Sequence, residues 1–265
     1  MKKLWSVLAA MAMLLAVLTG CGKTGSDWES VQKAGVLKIG ITLYEPMNYK
    51  DENGKLIGFD TELAEAVCAK LGVTPEFVEI DWEQKVVELK SGNIDCVWNG
   101  MTVTDDLAQN MDFSNSYSGN MQVCVINKAN ESTYTSLADM AGAKIVAEAG
   151  SAGAKAVEAN EELAGASLTT LSAQRDTLLE LKSGTADVAV IDGVMANASV
   201  GEGTDFTDLM IVPGIELTKE EYAVGLRKGS DLTEKINTAF TELMQDGTVA
   251  EISEKYPSVL VTLGE

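Results

Sequence analysis

The residue types that most often perform catalysis or bind metals are scarce in this chain. Its 265 residues include no histidine, although histidine is the commonest general base and metal ligand of proteins. Beyond Cys21, the cysteines are Cys68, Cys96 and Cys124, an odd number without CxxC spacing. Their apolar surroundings predict buried free thiols rather than disulfides or a metal site. The composition therefore argues against a histidine-dependent hydrolase and a zinc enzyme, and we expect no metal and no cofactor.

Carboxylates and aromatic rings are the groups that remain to bind a ligand. Four loops follow predicted strands, and α/β proteins bind ligands at such strand ends. Glu45, Glu148 and Asp192 lie in these loops beside Tyr44, and Trp82 begins a predicted helix. This mixture suits a cationic ligand group, through charge and cation–π attraction. We favour contact with a ligand for both rings, with a place in the core as the alternative, whereas Glu45 and Glu148 can equally be solvated surface acids. The loops span residues 42–47, 99–107, 148–153 and 192–195.

One octet occurs twice in the sequence. Residues 88–95 (ELKSGNID) and 180–187 (ELKSGTAD) are identical at six of eight positions and lie 92 residues apart. Each copy predicts an amphipathic helix that ends at a lysine and a glycine, followed by a short buried strand. A unit that is built twice predicts two similar lobes with a cleft between them.

The rest of the chain alternates predicted strands and helices with short connections. This order is typical of α/β proteins with mainly parallel sheets. Asn53 and Gly54 predict a tight hairpin turn. The predicted helix N-caps are Asp60, Asp81, Ser172 and either Ser230 or Asp231.

The N-terminal segment predicts export and lipidation. Lys2 and Lys3 precede an apolar stretch that is too short to span a bilayer comfortably, so residues 1–20 are interpreted as a signal peptide. The stretch ends in Leu-Thr-Gly-Cys21, the lipobox pattern of bacterial lipoproteins, and residues 21–30 are interpreted as a lipidated tether. An ordinary secretory signal is the alternative. We expect a lipid such as palmitate to hold the exported protein at the outer face of the cytoplasmic membrane.

The charge of the chain bears on its partners. The net charge is −20, and removal of residues 1–20 with their two lysines makes it −22. So acidic a protein is a poor partner for nucleic acid or for an anionic membrane surface, and it mildly favours cationic ligands.

Several short segments resemble one protein family. They are residues 58–64 (GFDTELA), 101–104 (MTVT), 111–114 (MDFS), 186–192 (ADVAVID) and 226–232 (LRKGSDL). In this order, within residues 31–257, they resemble the extracellular solute-binding proteins that serve amino-acid ABC importers. The resemblance implies a substrate-binding lipoprotein, not an enzyme. Such a protein binds an amino acid or a related small amine and delivers it, as a monomer, to the ABC permease subunits.

The same resemblance implies the two-lobe periplasmic-binding-protein fold of type II. Each lobe would be a mainly parallel sheet flanked by helices, and two crossover strands, near residues 120–123 and 217–222, would join the lobes. Lobe 1 would contain residues 31–119 and 222–265, and lobe 2 residues 120–221. Such lobes close on a ligand by a hinge motion.

The resemblance also implies the positions of the ligand site. Tyr44 and Trp82 correspond to aromatic walls, and Asp192 to the carboxylate that binds the α-ammonium group of the ligand. The remaining positions are Asn99, Gly100 and Thr102, which offer backbone groups and a hydroxyl, and Ser151 and Ala152 at a helix N-terminus that suits an anion.

Two positions depart from the family pattern. Leu107 stands where the family has an arginine that binds the carboxylate of the ligand in a bidentate manner. Glu148 stands where relatives often have a lysine or another polar residue. Either the N–H groups of Ser151 and Ala152 hold the ligand carboxylate together with another residue, or the ligand has no carboxylate.

Three other functions remain open at this point. The first is a binder of a cationic amine without a carboxylate. The second is an enzyme of the same fold that resembles cyclohexadienyl dehydratase. The third is a sensory module that acts on a separate kinase.

Overall fold

The computed structural model describes residues 26–264. The predicted signal peptide, Cys21 and residues 22–25 lie outside the described residues. Within residues 26–264, no helix is long and apolar enough to cross a membrane. The first helix begins at Asp27, inside the stretch that the sequence predicts as a tether. Because the Asp27 carboxylate accepts a hydrogen bond from Nε of Arg227 at 2.9 Å, the folded part begins before residue 31.

Helices and strands alternate along the described chain. The α-helices are α1 (Asp27–Ala34), α2 (Phe59–Leu71), α3 (Lys85–Ser91), α4 (Asp105–Ala108), α5 (Ala152–Ala159), α6 (Gln174–Ser183), α7 (Gly193–Ser199), α8 (Leu232–Gln245) and α9 (Thr248–Ser253). The strands are β1 (Val36–Ile41), β2 (Tyr49–Lys50), β3 (Leu56–Ile57), β4 (Thr74–Glu79), β5 (Cys96–Val97), β6 (Met111–Phe113), β7 (Ser118–Asn127), β8 (Lys144–Glu148), β9 (Ser167–Leu171), β10 (Val188–Asp192), β11 (Leu209–Tyr222), β12 (Gly225–Arg227) and β13 (Leu260–Val261). Short 3₁₀ helices cover Trp82–Gln84, Lys128–Asn130, Ala138–Met140 and Glu161–Leu163.

Two main sheets form the centres of two lobes. The first has the order β4-β1-β5-β12-β6, with β1 parallel to β4 and β5, and β12 antiparallel to β5 and β6. The second has the order β11-β7-β10-β8-β9, with β8 parallel to β9 and β10, and β7 antiparallel to β10 and β11. The sheets are therefore mixed, where the sequence predicts mainly parallel ones. The difference arises because the chain leaves lobe 1 on β7 and returns on β11 in the opposite direction.

Strands β7 and β11 connect the lobes. They pair antiparallel from Ser118 opposite Tyr222 to Asn127 opposite Leu209, with two register shifts along β11. The crossover segments predicted near residues 120–123 and 217–222 lie inside these two strands. Strand β13 pairs with the start of β7.

The repeated octet forms the same structure in both lobes. In each copy a helix, α3 or α6, ends at a glycine whose N–H group donates to carbonyls of the last turn. A carboxylate oxygen of Asp95 accepts from the N–H group of Lys38 on β1 at 3.1 Å. In the second copy, Asp187 accepts in the same way from Lys144 on β8 at 2.9 Å. The repeated aspartate therefore fixes the position of the neighbouring parallel strand.

The core of lobe 1 contains several aromatic rings and two of the thiols. The fully buried Trp98 packs edge-on against Phe240, with 5.5 Å between ring centroids. Cys68, Cys96 and Cys124 are free and buried, so the prediction of buried thiols is confirmed.

The predicted helix caps are confirmed only in part. Asp81 accepts from the N–H group of Glu83 and starts the 3₁₀ turn that leads into α3, as predicted. The prediction for Ser172 is wrong, because Ala173 occupies the N-cap position of α6 and has no side-chain acceptor, while the Ser172 hydroxyl donates to Asp176. The prediction for Asp60 is wrong, since α2 begins at Phe59 and the Asp60 side chain points into the protein interior. At α8, Asp231 occupies the N-cap position, but its side chain makes no capping hydrogen bond.

Candidate functional site: a cleft between the lobes

A cleft between the two lobes brings together ten of the eleven predicted site residues, all except Glu45. The cavity has a volume of about 50 Å³, which is a third of the roughly 150 Å³ cavity that accommodates benzene in another protein. An amino acid is larger than this cavity, so its binding requires a cleft wider than the one in this structure. The lining residues are Thr42, Leu43, Tyr44, Trp82, Lys85, Asn99, Gly100, Met101, Thr102, Thr104, Leu107, Glu148, Gly150, Ser151, Ala152, Lys155, Gln174 and Asp192.

Asp192 is the anionic centre of the lobe 2 wall. It is the last residue of β10 and is buried. One carboxylate oxygen accepts from the side-chain amides of Asn120 and Gln122, the latter at 2.7 Å, and the other accepts from Gln174. The Gln174 carbonyl in turn accepts from the N–H group of Asp192 at 3.0 Å. Amides on β7 and α6 thus fix the carboxylate, while burial and then the charge of Glu220 raise the pKa of Asp192 to about 6.

A second carboxylate, Glu220 on β11, lies behind Asp192. It accepts hydrogen bonds from the side-chain amides of Asn120 at 2.9 Å and Gln122 at 3.0 Å, so the same two amides bridge both carboxylates. It also accepts from the hydroxyl of Thr102 at 2.8 Å. The Thr102 hydroxyl proton therefore links a cleft loop of lobe 1 to a crossover strand, and only the hydroxyl oxygen is left to accept a further bond.

Asn99 holds two cleft loops of lobe 1 together. Its side-chain oxygen accepts from the N–H group of Thr42 at 3.1 Å and from the Thr42 hydroxyl at 2.6 Å. Its amide nitrogen donates to the Thr42 carbonyl at 2.9 Å and to the side chain of Asn48 at 2.7 Å. Because these four bonds use the hydrogen-bonding capacity of the side chain, Asn99 positions the loops rather than binding a ligand through its amide.

A buried carboxylate fixes the backbone at Gly100. A side-chain oxygen of Asp60 accepts from the N–H group of Gly100 at 2.6 Å and from the hydroxyl of Tyr117 at 2.8 Å. Asp60 is fully buried, and burial raises its pKa to about 7. On the cleft side, Tyr44 packs against Gly100, and its hydroxyl makes a 2.8 Å hydrogen bond with the hydroxyl of Tyr222. The aromatic wall at Tyr44 is therefore anchored to a crossover strand.

Lys85 is a cation in the cleft wall that no sequence motif marks. It is only 5% exposed, and its Nζ donates to the carbonyls of Trp82 at 3.0 Å and Gly150 at 3.1 Å, one in each lobe. The same Nζ lies 4.6 Å from the centroid of the Trp82 ring. A face of the predicted aromatic wall is thus covered by the protein's own lysine. Burial lowers the pKa of Lys85 to about 8.

Glu148 and Leu107 line the cleft from lobe 2 and lobe 1, respectively. Glu148 ends β8 and is only 4% exposed, so the alternative of a solvated surface acid does not apply to it. Burial and then the charge of Asp192 raise the pKa of Glu148 to about 8, against the opposing charge of Lys85. Leu107 is partly buried against the apolar cluster that contains Trp82.

The N-terminus of α5 lies at the cleft. The Ser151 hydroxyl accepts from the N–H group of Ala154 at 3.1 Å and caps the helix, of which Ala152 is the first residue. The first N–H groups of a helix have no intrahelical acceptor and suit an anion. In the same helix, Nζ of Lys155 forms a 3.0 Å ion pair with Asp106 of α4, across the two lobes.

Glu45 lies outside the cleft. It lines a neighbouring depression together with Arg175 and Asp205, which form a 2.9 Å ion pair. Burial raises the pKa of Glu45, and the charge of Arg175 opposes this change. Among residues 26–264, no cluster of three or more acidic, cysteine or histidine side chains could hold a metal ion.

The buried carboxyls predict a pH dependence of stability. In the ligand-free protein, the pKa values of Asp192, Asp60 and Glu148 are raised to about 6, 7 and 8, whereas the unfolded chain titrates near 4. Between these values the folded state keeps protons that the unfolded state releases. The free energy of unfolding should therefore fall as the pH rises from 5 to 8, by at most about 1.4 kcal/mol per pH unit for each group.

Thermal unfolding of the ligand-free protein at pH 5, 6, 7 and 8 measures this effect. Asp60→Asn should make the melting temperature less dependent on pH in the range below pH 7. A melting temperature that rises steadily from pH 5 to pH 8 would contradict the prediction.

Two α/β lobes, two connecting strands and a closed cleft with a fixed carboxylate define a two-lobe solute-binding protein. Residues 37–258 match the bacterial extracellular solute-binding proteins, family 3. The chain belongs to this family.

Individual relatives agree with this assignment. The arginine-binding extracellular protein ArtP of Bacillus subtilis is 30% identical over 97% of this chain and 98% of its own length. A solute-binding protein of an ABC uptake transporter from Streptococcus pneumoniae, solved with bound histidine, is 36% identical and has a TM-score of 0.80 over 88% of this chain and 97% of its own. The structure of Tv2483 bound to L-arginine has a TM-score of 0.84 at 26% identity, over 90% of this chain and 98% of that one.

Proposed function

We propose that the protein is the substrate-binding component of an ABC importer, and that it binds an α-amino acid or a related small amine between its lobes. The observation that carries the proposal is the buried carboxylate of Asp192, which three amide side chains hold at the cleft wall. A fixed carboxylate in a closed site suits an ammonium group, because the charge is already oriented before the ligand arrives. The binding of arginine and histidine by relatives supports an amino acid as the ligand.

Closure of the lobes gives the binding reaction its selectivity. Between the lobes, Nζ of the buried Lys85 donates to the Gly150 carbonyl, and Lys155 forms an ion pair with Asp106. The Lys155–Asp106 pair is exposed, and exposed ion pairs contribute little stability. A ligand that contacts both lobes adds the free energy that favours the closed state. The closed form, with ligand inside, would be the one presented to the permease.

The location and partners belong to the same proposal. Leu-Thr-Gly-Cys21 supports a lipid anchor at the outer face of the cytoplasmic membrane, in agreement with the extracellular family. The partners would be the permease subunits of the importer, and the protein would act as a monomer.

A ligand screen tests the proposal. Thermal unfolding of the purified chain is followed with each of the twenty amino acids and with polyamines and quaternary amines, and each positive result is measured by isothermal titration calorimetry. At least one α-amino acid should raise the melting temperature by several degrees and bind with one-to-one stoichiometry. The absence of a shift with every compound would overturn the assignment.

One observation supports a second candidate function, a dehydratase on the same fold. Glu148 keeps its proton at neutral pH, because burial raises its pKa to about 8, and a buried protonated carboxyl can act as a general acid. The named relatives are binding proteins, so binding remains the first proposal. Incubation with prephenate or arogenate decides between them: we expect no turnover, and conversion of either acid would favour the enzyme.

A further inference from the structure

Lys85 offers a positive charge to the cleft that its own contacts do not neutralise. Its ammonium group has three N–H donors, and two of them are used by the carbonyls of Trp82 and Gly150. No carboxylate of the described residues lies within ion-pair distance of Nζ. Carbonyl groups solvate a buried cation only partly, and an unpaired buried charge is costly. A ligand carboxylate in the cleft would complete the set of partners.

The location of Lys85 fits this function. Leu107, which cannot hold an anion, packs against the apolar cluster that contains Trp82, and Nζ of Lys85 lies over the Trp82 ring. Both side chains border the cleft from lobe 1. Asp192 borders it from lobe 2. A zwitterion between the lobes would therefore have a cation on one side and an anion on the other.

We propose that Lys85 binds the carboxylate of the ligand in this protein, so that the ligand is an α-amino acid and not an amine without a carboxylate. The proposal rests on the proposed function, in which Asp192 binds the ammonium group. Lys155 is the other lysine of the cleft wall, but its Nζ is paired with Asp106 and its side chain is 45% exposed. Lys85 is buried, and no carboxylate of residues 26–264 lies within ion-pair distance of its Nζ.

The charges of the cleft balance in this arrangement. At neutral pH, Glu148 is protonated in the ligand-free protein, since its pKa is raised to about 8 by burial and by Asp192. The ionised Asp192 and the ammonium of Lys85 then match the two charges of a zwitterion. A simple amine would leave the ammonium of Lys85 without an anionic partner in the closed cleft. The positive charge of the amine would also be repelled by that ammonium.

Matched ligand pairs test the assignment. L-histidine and histamine, L-arginine and agmatine, and L-leucine and isopentylamine differ in each case only by the carboxylate. Isothermal titration calorimetry at pH 7 should show that the wild-type protein prefers the amino acid over its amine by about 10- to 100-fold, as expected for a hydrogen bond between charged groups. Lys85→Met should reduce this preference by at least tenfold, and Lys85→Arg should retain most of it.

The ratio of the affinities for the amino acid and for its amine separates the effect of the carboxylate contact from the effect of lobe closure. Loss of the Lys85 contact with Gly150 weakens the binding of both members of a pair. Loss of the Lys85 charge weakens the binding of the amino acid and removes a repulsion from the amine. Lys90→Met is the matched control, because Lys90 lies on the same helix, outside the cleft, and bonds Asn110. It should leave the ratio unchanged.

Each contrary result has a distinct meaning. If Lys85→Met keeps the wild-type preference, or Lys155→Met removes it instead, the assignment of Lys85 is overturned while the binding function stands. If the wild-type protein prefers the amines, the ligand class is wrong but Asp192 keeps its proposed function. If it binds no member of any pair and no compound of the ligand screen, the proposed function fails, and the inference fails with it.

Discussion

Asp192→Asn should weaken the binding of the best amino-acid ligand by roughly 30-fold to several thousand-fold, the range for truncating one member of a buried charge pair. The substitution keeps the shape of the side chain but removes the charge that an ammonium group needs. In the wild type, the side-chain amides of Asn120, Gln122 and Gln174 donate hydrogen bonds to the Asp192 carboxylate. In the variant they face the side-chain amide of an asparagine. Calorimetric titration of the variant and the wild type measures the loss.

The folded state of Asp192→Asn should nevertheless persist. Burial and the charge of Glu220 raise the pKa of Asp192 to about 6, so its ionised form is already penalised at neutral pH in the ligand-free protein. Loss of that charge offsets part of the cost of the altered hydrogen bonds. Thermal unfolding should therefore separate the large effect on affinity from a small effect on stability.

Glu220→Gln is the matched control for this prediction. Glu220 shares the amides of Asn120 and Gln122 with Asp192, but it does not line the cleft. Replacement of Glu220 should weaken ligand binding much less than Asp192→Asn does, because it acts only by changing the position of Asp192. Equal losses in the two variants would mean that the amide network, rather than contact with the ligand, controls affinity. Unchanged affinity in Asp192→Asn would remove Asp192 from the site.

The sequence predicts the elements that depend on local patterns. The octets of residues 88–95 and 180–187 predict two helix–strand units, and both form with the same capping glycine and the same strand-fixing aspartate. The strand that follows each unit leads to the cleft, at Asn99 and at Asp192. The hydrophobic period and the glycine at the helix end are sufficient to predict these units, because both features lie within the octet itself.

Long-range contacts explain what the sequence pattern misses. Asp60 looks like a helix cap, because it precedes an apolar periodic stretch, but its carboxylate bonds the backbone of Gly100, forty positions away. Gln174 begins α6 with no feature that marks it, and only the packing of α6 against β10 brings it to Asp192. Lys85 follows Glu83 and Gln84 in the sequence, and a solvent-exposed lysine is the ordinary expectation.

The two departures from the family pattern acquire a common explanation once Lys85 is located. Leu107 offers no cation at a position where the resemblance implies an arginine, and Lys85 places a cation on a neighbouring element of the same lobe. Glu148 then faces a lysine across the cleft, and each shifts the pKa of the other toward its charged form. The residues that look anomalous one at a time are therefore electrostatically coupled.

Gly100→Ala is expected to lower the free energy of unfolding by about 2–5 kcal/mol, and to abolish most ligand binding. Gly100 has a φ angle of +53°, which costs an L-residue about 1–2 kcal/mol. An added Cβ would also lie 2.6 Å from Cε1 of Tyr44 and 3.1 Å from the ring of Tyr222. Such overpacking adds about 1–3 kcal/mol.

The surroundings of Gly100 leave little room for relief. The Asp60 carboxylate holds its N–H group at 2.6 Å from behind, while the hydroxyl–hydroxyl bond with Tyr222 fixes the Tyr44 ring in front. The new methyl group must therefore displace the aromatic wall of the cleft, so that affinity and stability fall together.

Gly184→Ala is the control that separates backbone strain at a positive φ angle from the steric clash of the added Cβ. Gly184 has a φ angle of +78°, and an added Cβ would meet no atom within 4 Å, so only the backbone cost of about 1–2 kcal/mol remains. Urea unfolding and calorimetric titration of both variants give the comparison: Gly184→Ala should retain wild-type affinity, and Gly100→Ala should not. If Gly100→Ala binds normally, the Tyr44 ring has moved without effect on the ligand. Tyr44 would then belong to the core of lobe 1, and the ligand contacts would lie with Asp192, Lys85 and the N-terminus of α5.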